Sequence, residues 1–411
     1  MYDIAIIGGG AAGLMAAISA KSANSAKTVV ILERLDKTGK KLLATGNGRC
    51  NLTHEPIREE HYHGGISLLR EVYRRFPAEE TRRFFKRIGV WTFSDEAGRV
   101  YPASCQASAV LDALRFRAEA LGVEIKPSFP VNDIRKEKGR FCIASRQGEI
   151  SAARVVVCAG GKASPSLGSD GSGYGLLRRF GHTVTPLAPA IVQIKTDTAP
   201  IRSLKGIKVN AEVSLFLEEK PVRQEKGEVL FAEYGLSGPP VLQLSRIAST
   251  ASGPMAVCLN FLPELSPDEL YRRLCERKKE LSYLTLENFL SGILQKRLGQ
   301  TLLKYAGAAP LGRSAGVLTD EELRALARAI QSFSLEVRGT LSFSGAQVTA
   351  GGIRCEEFTG RLESKKQPGL FAAGEILDID GDCGGYNLQW AWSSGFTAGK
   401  SAAESLSGES E

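Results

Sequence analysis

The eight cysteines of this 411-residue chain (Cys50, Cys105, Cys142, Cys158, Cys258, Cys275, Cys355 and Cys383) form no C-x-x-C pair and no other short metal-ligand spacing. Structural zinc therefore has no support, no metal is expected, and scattered thiols suit a reducing compartment. No apolar run approaches the ~20 residues of a membrane span. The first strand follows Met1 directly and leaves no room for a signal peptide, so a cytoplasmic protein that makes no membrane contact is expected. Histidine is scarce too. His54, His61, His63 and His182 sit in no nucleophile-elbow context, which removes a Ser/His/Asp hydrolase, and each reads as a surface or turn residue. There is no internal repeat.

What is present is ordinary globular material, 43% apolar, in a length that suits about two to four domains. The net charge of +8 and pI near 9.0 are compatible with nucleic acid, an anionic substrate, or a basic surface around a phosphate-bearing cofactor. Arg70, Arg74, Arg75, Arg82, Arg83, Lys86 and Arg87 crowd two helical stretches. Because Leu68, Leu69, Val72, Tyr73, Phe84, Phe85 and Ile88 interleave at helical spacing, these read as amphipathic helices with solvated basic faces, and a nucleic-acid partner is not expected.

The most informative stretch is Asp3-Ile-Ala-Ile-Ile-Gly-Gly-Gly-Ala-Ala-Gly13, followed by an Ala-rich run and Thr28-Val-Val-Ile-Leu-Glu33. A strand, a glycine turn, a helix and a second strand ending in an acid make a dinucleotide-binding unit. Gly8 allows the tight turn, Gly10 lets backbone approach a pyrophosphate, and Gly13 lets the helix pack on the sheet. The open N–H groups of the first helical turn, at Ala11 and Ala12, face the phosphates. Glu33 would accept from ribose hydroxyls.

A helix over residues 105–121 and strands at Val123–Lys126, Val131–Arg135, Arg140–Ser145 and Glu149–Cys158 continue this domain. From about Ala190 the pattern changes to longer β segments, among them Val209–Leu217 and Glu228–Phe231, mixed with helices; nucleotide-type signals resume after Thr349. The expected fold class is α/β: a discontinuous Rossmann-type FAD-binding domain, 1–189 and 347–411, with an inserted mixed α+β substrate or lid domain, 190–346. Beyond Leu406 the apolar stripe ends, and residues 401–411 are expected to fray.

Three further segments favour FAD over NAD. Val155-Val-Val-Cys-Ala-Gly-Gly161 delivers Ala159, Gly160 and Gly161 to a place where backbone passes close to something bulky. Gly369-Leu-Phe-Ala-Ala-Gly-Glu375 ends in an acid suited to a ribityl hydroxyl. Gly384 and Gly385 open a small-residue helix whose N-terminus suits the negative charge at N1 and O2 of a reduced isoalloxazine. The set resembles the fumarate reductase type of FAD fold. It is closer to the bacterial two-domain flavoproteins that include BaiN-like bile-acid reductases and aminoacetone oxidase, through Thr45-Gly-Asn-Gly-Arg-Cys-Asn-Leu-Thr53, Gly98-Arg-Val-Tyr-Pro-Ala-Ser104, Gly235-Leu-Ser-Gly-Pro239, Val348-Thr-Ala-Gly-Gly-Ile353 and the stretch from Gly374 to Gly399. The chain departs from that pattern at Ala232, Glu233 and Tyr234, where many relatives carry Thr-His.

The resemblance implies that Gly8, Gly10, Gly13, Glu33 and Arg34 hold the ADP half, with Val131 near the adenine. Lys41, Gly46 and Asn51 lie along the cofactor, Gly160 and Gly161 beside the pyrophosphate or ring, and Gly374, Glu375, Asn387 and Leu388 at the ribityl and isoalloxazine end. Lys40 and Lys41 also suit phosphate as countercharges. The expected function is an FAD-dependent oxidoreductase passing two electrons through the isoalloxazine ring to a small organic substrate, with the pocket between the flavin face and the inserted domain. Reduction of a C=C bond linked to NAD(P)H fits. No second Gly-x-Gly-x-x-Gly follows a strand, so NAD(P)H would be a transient donor. An amine oxidase using oxygen, a flavin-dependent RNA-modifying protein and a flavin sensor without turnover stay open. Catalytic candidates are Arg49, Arg99, Tyr101, Tyr234, Tyr386 and Trp390, able to bind a carbonyl or carboxylate or to deliver a proton. Cys50 and Cys383 both fall in flavin-proximal motifs, with no reason in the sequence to pair them.

Overall fold

Ile4–Ile7, Val29–Leu32 and Val155–Val157 are aliphatic, largely β-branched runs in which every residue is buried, the pattern of central parallel strands. In the computed structural model, which describes residues 1–406, they form the middle of a seven-stranded sheet. Its order runs Glu124–Lys126, Val29–Leu32, Tyr2–Ile7, Gly148–Val157. The ten-residue strand Gly148–Val157 then divides its free edge. Its first half pairs antiparallel with Arg140–Ser145, itself paired with Val131–Glu137, while Val155–Val157 pair parallel with Leu370–Ala372. That second pairing returns the C-terminal part of the chain to the sheet in which it began.

The chain divides into two compact units, Met1–Pro189 with Phe343–Glu411, and Ala190–Ser342. The return to the first unit comes at Phe343, four residues earlier than the expected 347, because Ser164 donates its N–H to the Phe343 carbonyl (2.9 Å) and its hydroxyl to that of Ala346 (2.8 Å).

In the first unit, helix Ala11–Ala23 is buried from Ala12 to Ala20. Helix Gly384–Glu404 lies against it. A Cβ at Gly395 would stand 2.4 Å from the carbonyl oxygen of Ala12, and one at Gly399 2.0 Å from that of Ala16. Four residues on one helix match four on the other in the same sense, so the two run parallel. Ser401, Ala402 and Ala403 are buried in the last turn, and Arg154 holds Ser405 by its hydroxyl and carbonyl. The expected fraying thus does not reach 401–406, and residues 407–411 lie outside the described residues.

The second unit is a closed antiparallel barrel of six strands: Ile194–Thr196, Gly235–Ser237, Lys220–Ala232, Lys208–Leu217, Met255–Asn260 and Phe333–Thr340, which pairs back to the first. Alternate residues Ala211, Val213 and Leu215, then Val257 and Leu259, then Phe333 and Leu335, enter its core. Helix Asp320–Gln331 starts at a reciprocal cap between Thr319 and Glu322. Among the described residues, no helix is long and apolar enough to cross a membrane, and all eight cysteines are free.

Candidate active site

The glycine turn joins the first strand to the first helix. Gly8 has φ of +102°, and a Cβ there would fall 2.4 Å from the carbonyl oxygen of Cys158; a Cβ at Gly13 would fall 1.9 Å from that of Gly8. Gly10 differs. Its φ of −81° is ordinary, and nothing lies within 4 Å of the Cβ position. The open space therefore sits in front of Gly10, at a helix N-terminus with no side-chain cap and no acid in its first turn. The N–H groups of Ala11, Ala12 and Gly13 have no carbonyl a turn earlier to bond. Glu33, 7% exposed, accepts from the N–H groups of Gly9 and Leu35, both at 2.8 Å, and so braces the turn while keeping lone pairs for a further donor. Phe129 and Ser128 tie the segment before Val131 to the carbonyls of Glu33 and Leu35, and Arg34 pairs with Asp170.

A polar cluster lies beyond the turn. The ammonium of Lys41 reaches Glu375 Oε2 (2.6 Å), the Ala163 carbonyl (3.1 Å) and Ser169 Oγ (3.5 Å). Glu375 Oε1 accepts from Thr349 N (3.0 Å), and Thr349 Oγ1 accepts from the N–H groups of Lys162 and Ala163. Gly161 is packed so closely that a Cβ would stand 2.4 Å from Thr349 Oγ1, and one on Gly160 2.8 Å from Ser169 Oγ. Lys41 and Glu375, expected to address different parts of a cofactor, thus bind each other; Lys40 turns outward to Asp36. The Tyr174 hydroxyl is buried without a partner, and burial together with the charges of Glu375 and Asp378 raises its pKa. It lies in Gly168-Ser-Asp-Gly-Ser-Gly-Tyr-Gly175, a glycine-rich stretch legible in the sequence as the opening of a helix, though not for its tyrosine.

At the far end, helix Gly384–Glu404 begins at Cys383, with no side-chain cap and no acid in its first turn. Asn51 supports it from outside: its amide donates to the Thr53 carbonyl (2.8 Å) and accepts the Gly385 N–H (3.2 Å). Gly46 and Arg49 share a loop that packs on Tyr101 of the strand Arg99–Pro102; a Cβ on Gly46 would lie 3.6 Å from the Tyr101 ring, and the Arg49 guanidinium sits 4.9 Å over it. Asn387 donates to the carbonyls of Gly381 (2.7 Å) and Cys383 (2.9 Å) and accepts the Gly381 N–H (3.0 Å), fixing the loop before the helix. Its own N–H bonds the Cys383 carbonyl, Leu388 is buried one residue further in and the Gly385 N–H goes to Asn51, so the first-turn positions left to a ligand are Gly384 and Tyr386. Trp390 spends its N–H on the Gly374 carbonyl inside the core (3.0 Å), which removes it from the catalytic candidates.

Contrary to the sequence reading, no histidine here is a plain surface or turn residue. His61 Nδ1 and His63 Nε2 bond the two oxygens of Asp382 at 3.1 and 2.8 Å. Tyr386 is stacked on His54 (5.0 Å, 18°), with its hydroxyl 3.5 Å from His54 Nδ1, and lies 5.1 Å from His61; burial pushes its hydroxyl up to about 12. His182 is buried between Glu357 (2.8 Å) and Ser364 (2.9 Å) on the Phe358 ring, and burial lowers its pKa. The His61-x-His63 alternation was the signal available for the first group. Arg99 is the register partner of His54 and pairs with Asp95 (2.7 Å). Tyr234 belongs to the second unit, where its carbonyl accepts from Thr196. Burial pushes the Cys50 thiol up to about 12 and raises that of Cys383, so neither is a ready thiolate. No cluster among the described residues could hold a metal.

The chain matches the family described as HI0933-like protein Rossmann domain over residues 2–401. It is 39% identical, across 98% of its length and all of the relative's, to a 3-dehydro-bile acid delta(4,6)-reductase of Clostridium scindens. It is 29% identical, across 96% of each chain, to a ribosomal RNA dihydrouridine synthase of Escherichia coli. Among solved structures, a 3-ketosteroid delta1-dehydrogenase from Sterolibacterium denitrificans matches with a TM-score of 0.51 at 13% identity, covering 98% of this chain and 99% of that one. An E. coli quinol fumarate reductase matches at 0.50 and 18%, covering all of this chain and 71% of that one; both likenesses concern the fold. By its sequence throughout, and with a glycine turn of the kind just described, the chain belongs to the HI0933-like Rossmann-domain family and is an oxidoreductase.

Proposed function

We propose that this chain is an FAD-dependent reductase of carbon–carbon double bonds conjugated to a carbonyl. The observation that carries the reading is the spacing of two helix N-termini. Gly395 packs on Ala12 in the parallel pair, so the N-terminus at Gly384 extends nine residues, about 14 Å at 1.5 Å per residue, beyond Gly10 of the glycine turn. That separation leaves room for a ribityl chain between a pyrophosphate at one end and an isoalloxazine at the other. The turn fits phosphate through open space at Gly10 and the free N–H groups beside it, and the second end fits negative charge through its dipole. Glu33, Lys41, Glu375 and Tyr174 supply the polar groups along the way. When bound, FAD supplies two electrons as a hydride.

The names of the two curated relatives share this chemistry. A 3-oxo steroid with unsaturation at positions 4 and 6, and a uridine ring reduced to dihydrouridine, are both alkenes conjugated to a carbonyl. Hydride addition at the far carbon places negative charge on the carbonyl oxygen, and a proton then completes the near carbon. Arg49, held over the Tyr101 ring, presents a cation on the loop whose Asn51 adjoins Gly385, suited to that oxygen. NAD(P)H is the proposed transient donor.

One observation favours uridine in RNA over a free enone. Arg74, Arg75, Lys86 and Arg87 are exposed on the two basic helices with no ion pair, whereas Arg70, Arg82 and Arg83 are neutralised by Glu59, Glu55 and Glu79 with Glu80. Anaerobic mixing of the reduced holoprotein with a 3-oxo-4-ene steroid, a uridine-containing ribosomal RNA transcript and an amine separates the readings. Return of the oxidised flavin spectrum with enone or uridine supports reductive chemistry and identifies the branch. Reduction of the oxidised protein by an amine, with reoxidation by oxygen alone, overturns it.

A further inference from the structure

His61 and His63 lie at i and i+2 across the start of strand Tyr62–Gly64, so both rings leave on one side, and Asp382 takes one ring on each oxygen. The antiparallel pairing of this strand with Ile379–Gly381 is what brings them to Asp382, whose own N–H bonds the His61 carbonyl (3.0 Å). The Asp382 side chain is 4% exposed, but those of His61 and His63 are 37% and 27% exposed. The buried carboxylate thus meets two partly exposed imidazole rings that reach solvent. Asp382 also directly precedes Cys383, the cap position of the helix whose N-terminus is assigned above to the flavin ring.

We propose that the His61–Asp382–His63 cluster is the redox-linked proton acceptor of this flavoprotein, taking up a proton from solvent as electrons arrive at the ring. The inference rests on the flavin reading above. Two electrons and one proton enter the flavin as a hydride and leave it with one net negative charge. That charge favours the protonated form of a nearby imidazole, which takes a second proton from water and releases it when the hydride departs to substrate. Asp382 positions both rings and stabilises the cation they share. The pair has the charge surroundings to respond. Glu60 stands 3.8 Å from His61, and Asp380, the register partner of His63, and Asp378 lie on or beside the paired strand. Cys383 and Tyr386 face the cluster from the helix, with Arg58 beside Tyr386 and Arg99 beside Cys383. The exposed faces of the rings give protons a route that a cluster serving only to hold the loop has no need of.

The test counts protons. Holoprotein is photoreduced anaerobically in weak buffer with a pH-indicating dye between pH 6 and 8, and the midpoint potential is followed over the same range. The wild type is expected to take up more than one proton per electron pair, with a potential falling more steeply than the one-proton slope of about 30 mV per pH unit. The double variant His61→Gln/His63→Gln keeps a donor on each Asp382 oxygen but cannot titrate, and is expected to fall back to one proton. Uptake of one proton by the wild type overturns the proposal, as does a double variant that keeps the wild-type count. Should the double variant lose FAD, each single variant is expected to lower the count, and no change in either overturns the proposal. A wild-type protein that binds no FAD overturns the flavin reading instead, which separates the two failures.

Discussion

Replacing Gly10 by valine separates folding from nucleotide binding. Its φ of −81° suits any L-residue, and its Cβ direction is empty to 4 Å. The apoprotein should therefore change in stability by no more than about 0.5 kcal/mol. The branched side chain would fill the space assigned to the pyrophosphate. At a free FAD concentration of 100 Kd, ligand binding raises the stability of the wild type by about 2.7 kcal/mol, or roughly 5–10 °C in Tm for a unit of this size, and the variant should lose all of it. Gly13→Val is the control. Its Cβ would stand 1.9 Å from the Gly8 carbonyl oxygen, so the apoprotein itself should be destabilised. Thermal unfolding of the three proteins with and without FAD measures both effects. A Gly10→Val protein that keeps the full FAD-dependent rise would refute the placement of the phosphates.

Gly399→Val should drive apart the two parallel helices, because its Cβ would lie 2.0 Å from the Ala16 carbonyl oxygen; a loss of about 1–3 kcal/mol or more in urea unfolding is expected, and an unchanged midpoint would contradict the packing. Asn387→Asp replaces two amide donors by oxygens facing the carbonyls of Gly381 and Cys383, so it should cost about 1–3 kcal/mol, read as a lowered Tm at neutral pH. Burial alone would raise the Glu357 carboxyl, but the Lys366 ammonium, the Thr183 N–H and His182 outweigh it and hold it at about 2, against an ordinary 4.5. A lowered folded pKa contributes stability that is complete above the unfolded value and lost as pH falls through the folded one, so wild-type stability should drop between pH 4.5 and 2. Glu357→Gln should flatten that drop in unfolding curves taken at stepped pH; parallel curves would contradict the assignment.

The nucleotide turn was legible because each glycine answers a local backbone demand, at Gly8 a positive φ and at Gly13 a close carbonyl, and local demands are written in consecutive residues. The barrel was only partly legible. Lys220–Ala232 carries its charged residues outward for nine positions before Val229 and Phe231 enter the core, so the alternation announced only Glu228–Phe231 near the end of the strand. The histidine cluster was missed for a different reason. His61 and His63 meet Asp382 through a strand pairing, and His54 meets Tyr386 by stacking, each between segments more than 300 residues apart, and no local pattern encodes such contacts. Lys41 and Glu375 were each singled out, but their ion pair depends on the same kind of distant contact.

Titration of the apoprotein with FAD and with FMN, side by side and followed by flavin fluorescence, tests the central claim most directly. Gly8 to Gly13, Glu33 and Arg34 are assigned to the ADP half, which FMN lacks. FAD should bind at one site and at least about 100-fold more tightly than FMN, a difference of about 2.7 kcal/mol. Equal affinity for the two flavins, or no uptake of FAD by folded protein, would contradict the account.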